Sequence, residues 1–301
     1  MTSGSWTGGT DLAVADGGTG ASTAAGARTN LSVFSQAEVA ARVSKGIFGL
    51  TYANGTDATN DIDFAAGGCA DSTNAVWITC AAMAGKQLDA GWAPGAAAGM
   101  RNSGAAIANT DYYLYAVAKA DGTQDYYAHT STTVATVITA LQAESGGASY
   151  VYARIIGWIK RTGGTIVAFH AYELTGGGLD FIWDSPTLDV DLSNTLTTSA
   201  RTDALKVPLA FSVQAKFHCK TQDGSAYVAW VSCPDLTDVA PSETAAPLSN
   251  MADVNGVAAG SLHRDLKVRT SSTGTIRARA TVATINIYQV ATTGFEWARR
   301  N

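Results

Sequence analysis

Between residues 46 and 173 apolar and polar positions alternate in short runs separated by Gly and Asp turns, and a period of two is the mark of strands. The pattern predicts strands over 46–52, 61–64, 75–81, 112–119, 150–160 and 165–173. In 112–118 both faces are apolar, Tyr113, Tyr115 and Val117 alternating with Tyr112, Leu114 and Ala116, so this strand must be covered on two sides. One stretch changes period. Val134, Val137, Ile138 and Leu141 recur at helical spacing and Gly146-Gly147 ends the run, predicting a helix over 133–144.

Gly176-Gly177-Gly178 reads as a boundary, after which a second strand series runs from Phe181 onward. Its clearest member is 275–283, where Ile276, Ala278, Ala280 and Val282 oppose Arg277, Arg279 and Thr281. Leu266 and Val268 against Asp265, Lys267 and Arg269 repeat that arrangement, as expected for a sandwich with one wet side. Phe211, Val213, Ala215, Phe217 and Cys219 also alternate; with a turn at Gln222-Asp223-Gly224 and a return strand over 226–233 they predict a hairpin. Residues 234–260 are polar and weakly periodic, which predicts a long surface connection suited to contacts with partners.

Residues 1–45 differ. They are rich in Gly, Ala, Ser and Thr, with too few bulky side chains to form a core alone. Ser35-Gln36-Ala37-Glu38 is a capping-box sequence and predicts a short helix to about Lys45. The expected fold is therefore mainly β: an N-terminal extended or short-helical arm (1–45) for attachment or trimerisation, then two antiparallel β-sandwich-like domains. These are a β domain with one short helix (46–178) and a C-terminal β-sandwich (179–301).

Composition narrows the function. Charged residues make up 15% against 46% hydrophobic, much of it Ala, which suits sheets packed on sheets or on sister subunits. The net charge of −5 and the absence of a basic stripe argue against nucleic acid. The opening residues lack the pattern of a secretory signal, and no segment is long and apolar enough to span a bilayer, so membrane insertion is not expected. Cys219 and Cys233 fall at unmatched levels of the expected hairpin, and Cys69 and Cys80 flank a turn in the same way. All four are expected to be free thiols, in keeping with assembly in a reducing cytoplasm.

Searching for chemistry gives little. There is no Gly-x-Ser-x-Gly elbow; His129, His170, His218 and His263 are isolated, and His218 and His263 fall on polar strand faces. Gly17-Gly18-Thr19-Gly20 lacks the ending of a phosphate loop, and Asp57, Asn60, Asp61 and Asp63 depart from a calcium loop and read as a turn. No Cys-x-x-Cys is present, and no cofactor, metal or catalytic residue is expected. Asp180, Asp184, Asp189 and Asp191, beside Phe181 and Trp183 read as exposed aromatics, leave sugar hydrolysis as an alternative to roles in turns and packing. Most of the seven Trp and eleven Tyr should be core.

The sequence from Val14 to Leu31, Val-Ala-Asp-Gly-Gly-Thr-Gly-Ala-Ser-Thr-Ala-Ala-Gly-Ala-Arg-Thr-Asn-Leu, resembles a short repeat of bacteriophage tail-fibre proteins. One copy is present, so a long shaft is not implied. The resemblance assigns the attachment motif to Asp16, Gly17, Gly18, Thr19, Gly20, Arg28, Asn30 and Leu31. Asp61-Ile62-Asp63-Phe64, the run from Lys86 to Gly95, the run from Ile107 to Tyr113, and Tyr152-Ala153-Arg154-Ile155-Ile156-Gly157 resemble landmarks of a phage structural β domain, and Phe181-Ile182-Trp183-Asp184-Ser185-Pro186 its continuation. Together these imply a virion protein, assembled in the bacterial host cytoplasm: a tail fibre or tail-tip component, non-enzymatic, taking part in host attachment as a homo-oligomer, most simply a trimer. Implied partners are sister chains, other tail or virion proteins, and a host surface glycan or protein. A head fibre or capsid decoration protein, or a virion-associated glycan depolymerase, are the alternatives.

Overall fold

The computed structural model describes residues 18–33, 46–242, 244, 250–254 and 260–299; the expected helix from Ser35 to Lys45 lies outside them. In order come α1 (Ala24–Asn30), β1 (Ile47–Gly49), β2 (Tyr52–Asn54), β3 (Asp61–Phe64), β4 (Gly67–Ala70), β5 (Trp77–Cys80), β6 (Met83–Gly91) and β7 (Gly99–Arg101). Next are β8 (Asp111–Lys119), β9 (Gln124–His129), α2 (Val134–Gln142), β10 (Tyr150–Thr162), β11 (Thr165–Ile166) and β12 (Phe169–Leu174). The remainder is β13 (Gly178–Leu192), β14 (Arg201–Ala204), β15 (Gln214–Asp223), β16 (Tyr227–Ser232), β17 (Asn250–Val254), β18 (Gly260–Arg269), β19 (Thr275–Ala280) and β20 (Ile287–Trp297). The chain is mainly β, in sheets ordered β1-β4-β5, β11-β10-β8-β9-β7-β6-β3-β2, β12-β13-β20-β15-β18 and β14-β19-β16-β17.

Several predicted strands are interrupted for local reasons. Gly49 and Leu50 both take left-handed φ, +60° and +52°, and break 46–52 into β1 and β2, which join different sheets. Residues 165–173 also divide, into β11 and β12, which join different sheets. The doubly apolar strand β8 is covered by its own chain. On one side Tyr126, paired with Ala116, bonds the carbonyls of Ala65 and Ala81 and stacks on Phe64 at 4.0 Å. On the other, Tyr113 donates to Leu209 O at 2.8 Å and Tyr115 to Ser131 O at 2.7 Å, just before α2. That strand therefore gives no reason for a partner subunit.

The expected all-antiparallel pairing fails at β7, which runs parallel to both β6 and β9. A charged clamp inside the sheet holds the return loop that makes this possible. Lys86 Nζ lies 2.9 Å from Asp125 and donates to Ala93 O and Gly95 O, while Gly95 N donates to Asp125 Oδ2 at 2.7 Å. Both side chains are fully enclosed, and burial pulls the Lys86 amine below its ordinary value despite Asp125. At Gly157 an added Cβ would sit 2.3 Å from the Tyr52 ring; the Tyr52 hydroxyl both donates to Trp158 O and accepts from Trp158 N, each at 2.9 Å.

Two further expectations change. Residues 214–223 and 227–232 do not form a hairpin: β15 lies between β20 and β18, whereas β16 lies between β19 and β17 in another sheet. Alternation shows that each is a strand but not which sheet receives it, and β16, buried at every position, needs cover on both faces. The expected surface connection 234–260 contains β17, paired with β16. Phe181 and Trp183 are buried, not exposed.

The glycine run at 176–178 is the turn between β12 and β13, which pair antiparallel from Leu174↔Gly178 to Phe169↔Trp183. Residues on both sides of it thus share one sheet. Trp158 on β10 meets Phe181, Trp183 and Phe295 edge-on at 5.6–5.7 Å, joining the eight-stranded to the five-stranded sheet. Farther along, Tyr288 donates to Asp203 at 3.0 Å and Tyr227 to Thr221 at 2.8 Å, joining the five-stranded to the four-stranded sheet. Near its end the chain returns to the first half. Arg299, 1% exposed, donates to the carbonyls of Gly49, Leu50, Ile156, Gly177 and Gly178 at 2.9–3.5 Å.

Candidate functional site

The motif at the start of the chain is a closed turn-and-helix unit. Thr23 caps α1, its hydroxyl accepting from Gly26 N at 3.0 Å. Gly20 turns the backbone with φ +60°. An added Cβ at Gly26 would lie 2.9 Å from Ala21 Cβ, so only glycine allows that approach. Asn30 at the end of the helix reaches back to donate to Thr19 O at 3.0 Å and Gly20 O at 2.9 Å. Of the expected motif residues, Thr19, Gly20 and Asn30 are thus brought together, with Gly18 beside them. Arg28 contributes its carbonyl to Val33 N at 3.0 Å, and Asp16 and Gly17 lie outside the described residues.

None of the α1 residues is buried, and Leu31 and Val33 are 44% and 52% exposed. The unit holds its shape through hydrogen bonds and not through a core. No family model matches the chain, and no curated protein matches it either.

On the body, the outer face of the five-stranded sheet carries a set of charged and polar pairs. Cross-strand pairs cover it: the ion pairs Lys216 with Asp180 and Lys267 with Glu296 at 2.6 Å, and the contacts of His218 with Asp265 and of His170 with Asp184 at 3.4 Å. At one end lies an open cavity of about 520 Å³ lined by Leu174, Ser212, Gln214, Arg269, Glu296 and Trp297, among others. On the three-stranded sheet, Phe48 (53% exposed) stacks on Trp77 at 5.6 Å, and Trp77 lies so close over Gly68 that a Cβ there would fall 2.7 Å from the indole.

The four candidate carboxylates for sugar hydrolysis are each engaged separately. Asp180 pairs with Lys216, Asp184 with His170, and Asp191 accepts from Gln289 at 2.7 Å. Asp189 accepts from Thr292 Oγ1 and from Lys206 N, and burial pushes its carboxyl up. Asp57 bonds Thr59 N and the Asn60 amide as a turn does, and Asp61 is raised by partial burial and by Asp57, Asp89 and Asp63. Among the described residues no group of three or more His, Cys, Asp or Glu is placed to hold a metal. No helix among them is long and apolar enough to cross a membrane. The four cysteines are free and buried, and burial pushes the Cys80 thiol up to about 12.

Proposed function

We propose that this chain is a non-enzymatic structural protein of a bacteriophage particle, a tail-fibre or tail-tip component that takes part in host-surface attachment. Residues 1–45 act as the attachment arm, and the sheets that follow are presented outward. The observation that carries this reading is the Asn30 clasp: the fibre-like motif closes into a small ordered unit that buries none of its helix and leaves Leu31 and Val33 in solvent. An apolar tip held in shape without a core of its own gains stability when a second surface covers it. Sister chains, in a closed and most simply three-fold assembly, and neighbouring virion proteins are the partners this reading supplies. Several copies would then present the charged sheet face and the Phe48–Trp77 platform together, so that weak contacts with a host glycan or protein add up to firm adhesion.

The test compares the full chain with a variant lacking residues 1–33. Light scattering is expected to show an oligomer for the first and a folded monomer for the second. A full chain that stays monomeric, and fails to join particles assembled without it, would overturn the reading. Chain shortening of host polysaccharide by the purified protein would favour the depolymerase alternative instead.

A further inference from the structure

Two arginines are enclosed where β10 meets the returning end of the chain, and the described residues offer neither of them an ion-pair partner. Arg154 is 3% exposed and Arg299 1%. Arg299 spends all its N–H groups on the five carbonyls named above. Arg154 is matched only in part, donating to Asp71 O at 3.3 Å, Asn74 Oδ1 at 3.2 Å and Arg299 O at 3.3 Å. Among the described residues three of the guanidinium's five donors find an acceptor and two do not. The nearby carboxylates are committed elsewhere: Asp71 takes hydrogen bonds from Thr73, Ala75 and Val76, and Glu173 from Gly49 N at 2.7 Å.

Arg154 and Arg299 line one cavity of about 180 Å³ together with Ser72, Thr132, Val134, Ile155 and Phe211. The side-chain hydroxyls of Ser72 and Thr132 make no hydrogen bond with another described group, and both residues are half-exposed, which places the mouth of the cavity at the surface. Enclosing two cations is costly, and a bound anion offsets that cost most directly. Unspent guanidinium N–H groups beside two free hydroxyls are the donor set that oxyanions take. We propose that this cavity binds a small oxyanion, phosphate, sulfate or a simple carboxylate, held by Arg154 with Ser72 and Thr132, and that the anion fastens the end of the chain to β10. The inference is independent of the attachment role.

The test uses the full chain, titrated with sodium phosphate, sulfate or acetate at constant ionic strength and followed by thermal unfolding and calorimetry. Concentrations up to about 10 mM keep general salting effects small. Saturable binding of at least one of the three anions is expected; a response to acetate but not to phosphate or sulfate would identify a carboxylate ligand. The variant Ser72→Ala/Thr132→Val, which leaves both arginines in place, is expected to keep its anion-free melting temperature and bind about tenfold more weakly. No saturable binding of any of the three, or equal binding by the variant, would overturn the proposal. If the variant fails to fold, Thr132→Ser, which keeps a hydroxyl, must bind as the native chain does.

Discussion

In the eight-stranded sheet charge lies inside: Lys86 and Asp125 meet at 2.9 Å with no solvent access, and Arg154 is enclosed nearby at the edge of the same unit. On the outer face of the five-stranded sheet charge meets solvent, in cross-strand pairs such as Lys267–Glu296 whose partners are 47% and 31% exposed. The first arrangement fixes the path of the chain, because Lys86 and Asp125 each hold backbone groups of the loop at 93–95, and Arg154 holds Asp71 O and Arg299 O. The second leaves the fold nearly indifferent to which charges are present. A surface meant to meet changing partners can vary on the second sheet at little cost, while the first tolerates few changes.

Substitutions should separate the two regions widely. Arg299→Met removes five hydrogen bonds to carbonyls and should cost the most, about 5 kcal/mol in urea unfolding. Lys86→Met leaves the Asp125 carboxyl enclosed without its cation and should cost about 3–4 kcal/mol; adding Asp125→Leu should recover part of this, since a pair replaced by apolar groups is tolerated better than one broken. A full loss with no recovery in the double variant would show that the loop carbonyls, and not the charge, set the cost.

Asp71 gives an effect of middle size with a pH signature. Burial alone would raise its carboxyl, but hydrogen bonds from Thr73, Val76 and Ala75 outweigh it and hold the group below its ordinary value of 3.8. A folded-state pKa that is depressed contributes stability above pH 3.8, lost as the pH falls through that value toward the folded one. Asp71→Asn should cost about 1–2 kcal/mol at neutral pH and flatten the acid side of the stability curve, read by denaturant midpoints from neutral pH downward. The smallest effect belongs to the outer face: Lys216→Ala should cost under about 1 kcal/mol, and added salt should erase the difference.

β3, with its alternating Asp61-Ile62-Asp63-Phe64, and β8, with its run of apolar residues on both faces, are legible from the chain alone, as is α2 from its 3.6-residue spacing. β4 and β6 are not, because Gly67, Gly68, Gly85 and Gly91 leave too few apolar positions to set a period; they are held by neighbours and by the Lys86 clamp. The partnership of β15 was misread for a different reason: local alternation carries no information about which sheet a strand joins. Of the candidate motif, the turn at Gly20 follows from residue type, whereas the Asn30 clasp spans ten residues or more and no short-range pattern announces it. The landmark runs at 86–95 and 152–157 turn out to contain Lys86, Arg154 and Gly157, which bind loops or admit Tyr52.

Arg299 ties carbonyls at positions 49, 50 and 156 to a side chain synthesised some 140 to 250 residues later. On the ribosome, the early sheets can form their ladders as they emerge, yet they must wait until residue 299 has been made before that seam is closed. Nascent chains stalled short of residue 299 should therefore be cut by protease at the β1–β2 junction, and released full-length chains should resist.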